Sequence, residues 1–237
     1  MNVLRAARES LLIMSSGPPA QRLRENLQKI RDRIDHACRR AGRRPEEITL
    51  VAVTKSADPA AVEALIALGV RDLGENRAVE GAARAARMGN EIRWHFIGRL
   101  QTNKAKHVAE RFHALHSLDR PDLAAELEKR CAARNRTLPV YVQVNVAGEA
   151  SKAGFPPDGA VAAVEAIRKS HPHLEVAGLM TLPPAGEPES ARPHFRKLRS
   201  LAEACGVKGL SMGMSADFEV AIEEGATHIR VGTALFA

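Results

Sequence analysis

The sequence predicts an α/β fold, a single (β/α)8 TIM-type barrel led by one extra N-terminal helix. Three observations predict it. About eight short runs rich in Val, Ile and Leu alternate with helical patterns, which implies a parallel sheet with right-handed crossovers. The 237 residues come close to the roughly 250 of such a barrel. No Gly-x-Gly-x-x-Gly turn follows an early strand, which argues against an open dinucleotide-binding sheet.

The elements follow in order. Residues 1–19 read as a flexible extension, because Leu11-Leu12-Ile13-Met14 is too short for a secretory core and Glu9 precedes it. Residues 20–237 form the barrel domain. Leu23, Leu27, Ile30 and Ile34 recur at helical spacing over 20–41, and Gly42 closes that helix. Leu50-Val51-Ala52-Val53-Thr54-Lys55 is a β-branched apolar run ending in lysine, a strand buried on both faces over 48–55. Asp58-Pro59 then starts a helix, with Asp as N-cap and Pro at its first position. Further strands are expected at 70–73, 92–97, 114–118, 138–146, 174–180, 210–212 and 228–231. Between them, helical patterns end at Gly69, at Gly89-Asn90 and at Gly225.

Composition narrows the function. The net charge is +7 and the sequence pI about 9.7, so acidic or phosphorylated ligands fit. One Trp and one Tyr give few stacking platforms for single strands, and the excess arginines lie on helices, so no nucleic-acid partner is expected. Cys38, Cys131 and Cys205 match no zinc or redox spacing and read as packed residues of a cytoplasmic protein. No apolar run approaches the roughly 20 residues of a membrane span. His107, His113, His116, His171 and His173 show no metal spacing, so no metal site is expected. A monomer is expected, since no long apolar helix face is left over.

In an α/β barrel, ligands sit at the carboxyl ends of the strands. A lysine there can also simply leave the strand for solvent. Closure makes strands one and eight neighbours, which brings Lys55 to Arg230, Gly232 and Thr233. Ser211 is placed at the end of strand seven. Phosphates commonly sit in the loops after strands seven and eight, held by hydroxyls and backbone N–H groups. A lysine amine, an arginine and a phosphate cradle are together the parts of a pyridoxal 5′-phosphate (PLP) site.

The chain resembles the pyridoxal phosphate homeostasis protein family, whose barrel is that of the N-terminal domain of alanine racemase. The resemblance covers 48–236. It is carried by Val51-Ala52-Val53-Thr54-Lys55, Gly74-Glu75-Asn76-Arg77, Trp94-His95-Phe96-Ile97-Gly98 and Leu100-Gln101-Thr102-Asn103-Lys104. It continues in Val144-Asn145-Val146, Ser151-Lys152-Ala153-Gly154, Gly178-Leu179-Met180, Leu210-Ser211-Met212-Gly213-Met214-Ser215 and Arg230-Val231-Gly232-Thr233. It implies that Lys55 holds PLP covalently as a Schiff base. It implies that Ser211, Gly232 and Thr233 hold the phosphate, that Arg230 faces the pyridine nitrogen and that Asn76 lines the cofactor. It implies binding, buffering and delivery of PLP, with apo PLP-dependent enzymes as recipients and no catalytic residue. A weak racemase-like activity is the alternative.

Elementary chemistry agrees. A free lysine with a pKa near 10.4 is neutral at pH 7 in only about one molecule in 2,500, and burial beside an arginine would favour the nucleophilic form. A racemase of this type uses a tyrosine from an added domain as second base. The only tyrosine here, Tyr141, falls early in strand five as a core or rim residue. Trp94 reads as packing, His95 as either an interior hydrogen-bonding group or a site residue, and Lys152 as a solvated loop lysine. Glu223-Glu224 reads as the exposed end of a helix.

Overall fold

The computed structural model describes residues 18–89, 91–149 and 152–237. The 1–17 part of the expected extension, the Asn90 half of the Gly-Asn stop and Ser151 of the 151–154 motif lie outside the described residues. Eight parallel strands close on one another in sequence order. They are β1 (Thr49–Val53), β2 (Asp72–Glu75), β3 (Arg93–Phe96), β4 (Ala114–Leu118), β5 (Leu138–Gln143), β6 (Leu174–Met180), β7 (Gly209–Met214) and β8 (His228–Val231). The barrel closes where β1 meets β8, with Val51 opposite Arg230 and Ala52 opposite Val231.

The leading helix α1 (Pro18–Arg40) buries Leu23, Leu27, Ile30, Ile34, Ala37 and Cys38. Asn26 of α1 donates to the carbonyls of Leu235 (3.1 Å) and Ala237 (3.0 Å). The helix α2 (Pro59–Ala67) starts as its sequence dictates, with Asp58 Oδ1 accepting from the Ala60 N–H at 2.8 Å. Five helices follow: α3 (Ala78–Arg87), α4 (Ala105–Arg111), α5 (Pro121–Ala132), α6 (Ala160–Ser170) and α7 (Arg192–Ala204). A short α8 (Phe218–Glu223) precedes β8. A last turn, α9 (Thr233–Phe236), comes after it and lay outside the expected pattern. None of the described helices is long and apolar enough to cross a membrane.

Three differences from the sequence reading matter. β2 runs over Asp72–Glu75 and not over 70–73, so Glu75 joins Asp72 as a strand residue, and both are buried. β7 runs to Met214 with a register shift between Ser211 and Met214, so Ser211 lies in its middle. Glu224 is buried, not exposed: Arg192 (2.8 Å), Arg196 (3.1 Å) and Arg199 (3.4 Å) surround its carboxylate. Glu223 pairs with Arg40 and Arg192, both at 2.7 Å, so the dyad ties α1 and α7 to the end of α8.

Candidate functional site

At the carboxyl ends of the strands lies a cavity of about 570 Å³, within the range that holds a small ligand. Lys55, Asn76, Ser215, Arg230, Gly232 and Thr233 line it, with Val53, Leu182, Met214 and Phe236 as apolar wall. Of the six expected residues, five therefore meet in one place.

Lys55 sits in the turn two residues past β1 and is exposed, so the burial expected to act on its amine is absent. What precedes it is fixed. The Thr54 N–H donates to the Gly74 carbonyl at 2.9 Å, and its hydroxyl donates to Glu75 Oε1 at 2.7 Å. Arg84 of α3 donates to both the Thr54 carbonyl and Glu75 Oε1 at 2.9 Å. Burial pushes the Glu75 carboxyl above its usual range, against the bonds from Thr54 and Arg84. Asn76 is set by a close approach: a Cβ on Gly98 would lie 2.6 Å from the Asn76 Cβ and 2.8 Å from its Cα.

Beside β1, past the end of the neighbouring β8, the backbone amides of Gly232 (3.3 Å) and Ala234 (3.4 Å) converge on Ser215 Oγ. Gly213 has φ +90°, and a Cβ there would lie 2.6 Å from the Ala221 Cβ, so the turn that carries Ser215 to the mouth requires glycine. Asp217 Oδ1 accepts from the Met214 N–H at 2.6 Å and holds the same turn.

Ser211 is the expected residue that does not arrive. It is fully buried inside the barrel, hydrogen-bonded to Arg230 Nη1 (2.6 Å) and His116 Nδ1 (2.7 Å). The hydroxyl at the mouth is Ser215, four residues on. Its signal was the second serine of Ser211-Met212-Gly213-Met214-Ser215, hidden because the strand extends through a bulge. Lys152 is neither at the mouth nor free in a loop, since it pairs with Glu149 at 2.9 Å. Tyr141 is buried, its hydroxyl 3.2 Å from His228 Nδ1, and burial raises its pKa.

Below the cavity the barrel interior is polar, where branched apolar side chains would ordinarily fill it. His95 Nε2 meets Asp72 Oδ1 at 2.9 Å, and His95 Nδ1 meets His116 Nε2 at 2.9 Å. At the far end Arg93 donates to Asp72 at 2.7 and 2.5 Å. Burial pushes the Asp72 carboxyl up, but the hydrogen bonds from His95 and Arg93 outweigh it and hold the value at about 2. A carboxyl lowered in the folded state stabilises the fold above the ordinary carboxylate pKa of roughly 4. That stability, about 2 kcal/mol, is expected to be lost as the pH falls from about 4 to about 2. Urea unfolding across that interval checks it, with a shallower acid limb expected for Asp72→Asn. Burial likewise keeps His116 neutral, its pKa well below the ordinary value, and lowers that of Arg230 to about 10, so the guanidinium stays protonated at neutral pH.

Known proteins resemble this chain over most of its length. The family described as "Alanine racemase, N-terminal domain" matches residues 21–237. The pyridoxal phosphate homeostasis protein of Aquifex aeolicus is 42% identical over 220 residues, covering 90% of this chain and 96% of the relative. That of Pseudomonas aeruginosa is 44% identical over 216 residues, covering 90% and 94%. Among solved structures, PipY of Synechococcus elongatus with PLP bound superposes with a TM-score of 0.74 at 31% identity, covering 86% of this chain and 100% of that one.

Proposed function

The chain belongs to the pyridoxal phosphate homeostasis protein family, and on that premise we propose that it binds PLP at the mouth of its barrel, covalently through Lys55, and buffers or delivers it. One observation carries the reading. Lys55 and Arg230 line the same cavity as Ser215 and the converging amides of Gly232 and Ala234. This donor set fits PLP. The amides make long bonds to a hydroxyl oxygen, and a phosphate oxygen is a stronger acceptor for the same N–H groups. Ser215 takes the phosphate role expected of Ser211, beside Gly232 and Thr233. Asn76 and Arg230 line the same cavity and would face the ring. Lys55 would hold PLP by condensation of its neutral amine with the aldehyde, the two amine hydrogens leaving with the carbonyl oxygen as water. When bound, PLP supplies an electron-withdrawing ring.

A carrier fits better than a racemase. The only tyrosine lies in the barrel interior against His228, not across the cavity from Lys55, so a second base has no evident source there. The three cysteines are all free and buried, which suits the reducing cytosol we assign to it. We take the working form to be a monomer, with apo PLP-dependent enzymes as recipients.

The test is the visible spectrum of the purified protein, then borohydride reduction and peptide mapping. A yellow protein with the reduced adduct on Lys55 is expected. A colourless protein that takes up no added PLP would overturn the reading and favour a Schiff-base aldolase-type barrel without PLP.

A further inference from the structure

A continuous line of hydrogen bonds runs the length of the barrel interior, from Arg93 at the far end to Arg230 under the cavity. Its members come from five strands: Asp72 of β2, His95 of β3, His116 of β4, Ser211 of β7 and Arg230 of β8. Each of these five is less than a tenth exposed. Buried polar groups cost free energy unless they are paired, so this interior demands an explanation beyond filling space.

The partners fix the direction of the line. Arg230 can only donate, so Ser211 Oγ accepts from it and its own single proton needs another acceptor. His116 Nδ1, at 2.7 Å, is that acceptor. His116 is then protonated on Nε2 and donates to His95 Nδ1, which leaves His95 protonated on Nε2 and donating to Asp72. A charged His95 would keep its bond to Asp72 but reverse both bonds of His116 and leave the Ser211 proton without a partner. One arrangement therefore satisfies every member, with all donors pointing away from the cavity and toward Asp72. Arg230 meets no carboxylate in an ion pair among the described residues. Its other fixed bond is from Nη2 to the Thr181 carbonyl at 3.0 Å. The carboxylate that acts on Arg230 through space is Asp217, which makes no ion pair with it, so its direct partners are the Ser211 hydroxyl and the Thr181 carbonyl.

We propose that Asp72, His95, His116 and Ser211 are positioning residues for Arg230, holding its guanidinium in one place and aimed at the ring of the ligand in the cavity. The proposal rests on the PLP reading of the mouth, and it adds the line of residues that sets the ring's partner. The four do not touch the ligand. They act by fixing the donor that does.

The first test needs no PLP. In protein labelled with 15N-histidine, His95 and His116 are each expected to carry a proton on Nε2 and none on Nδ1. A doubly protonated His95, or a His116 protonated on Nδ1, would overturn the proposal. The second test adds PLP. His116→Phe keeps a ring against Tyr141, where the two now stack with centroids 4.4 Å apart, but breaks the line. It is expected to hold PLP about tenfold less tightly, about 1.4 kcal/mol, with a displaced visible band. His116→Gln offers an amide donor and a carbonyl acceptor in its place and is expected to restore both. If His116→Phe does not fold, Ser211→Ala removes a single oxygen and carries the same expectation. A folded His116→Phe or Ser211→Ala protein with the unchanged band and affinity would show that the line only fills the barrel. Failure of the unaltered protein to take up PLP would overturn the PLP reading instead, and the histidine tautomers would still decide whether the line is oriented toward Arg230.

Discussion

Lys55→Ala protein, mixed with stoichiometric PLP and reduced with borohydride, is expected to carry no adduct. The argument is one of chemistry at the mouth. Condensation with an aldehyde needs an amine that can present a lone pair, and among the described residues Lys55 is the only lysine lining the cavity. Arg230 cannot substitute, because its guanidinium stays protonated and its nitrogens are tied to Ser211 and Thr181. The phosphate cradle survives the substitution, so weak reversible binding remains. Its dissociation constant is expected to rise at least about 100-fold, or about 2.8 kcal/mol. Equilibrium dialysis reads the affinity and mass spectrometry reads the adduct. A stoichiometric adduct that moved to Lys104 or Lys152 would show that the cavity does not select its amine.

The second large effect concerns the barrel wall, not its mouth. Gly178 of β6 lies opposite Gly209 of β7, and the two backbones approach so closely that a Cβ at 178 would land on the Gly209 carbonyl group. A Cβ at 209 would in turn lie 2.5 Å from the Ala177 carbonyl oxygen and 2.8 Å from the Tyr141 ring. Backbone cannot swing aside as a side chain can. Gly178→Ala is therefore expected to fall at the upper end of overpacking costs, about 3 kcal/mol. For a chain of this size that lowers the melting temperature by roughly 6–12 °C. An unchanged melting curve would contradict the close approach of these strands.

Much of this was legible in the sequence because it rests on local signals. The 114–118, 174–180 and 228–231 strands fall where their apolar runs do, and the Asp58-Pro59 helix start is read directly from residue chemistry. Closure of β1 on β8 followed from strand count, and it brought Lys55 to Arg230. The rest was hidden by partners distant in sequence. Asp72 falls inside the expected 70–73 strand but carries no signal of its burial, because a lone aspartate is rarely buried. Its burial is licensed by Arg93 and His95, 21 and 23 residues on. Glu224 is buried on the same logic by arginines of α7. Ser211 was misplaced because a bulge adds length without adding an apolar signature. His116 carries no spacing signal at all, since its role depends on strands β3 and β7 facing each other across the barrel.

The bonds from Asn26 to the carbonyls of Leu235 and Ala237 span 209 and 211 residues of chain. During synthesis α1 leaves the ribosome long before these acceptors exist. The β1–β8 seam has the same delay, since β1 must wait for residues 228–231. Contacts this remote in sequence form slowly and only after the intervening chain has collapsed. The pieces that line the cavity, Lys55 from the start of the barrel and Arg230 to Thr233 from its end, can thus meet only after residues 228–233 have been made. A nascent or partly folded chain has no complete site, and the capacity to hold the ligand switches on only when the ring of strands is sealed.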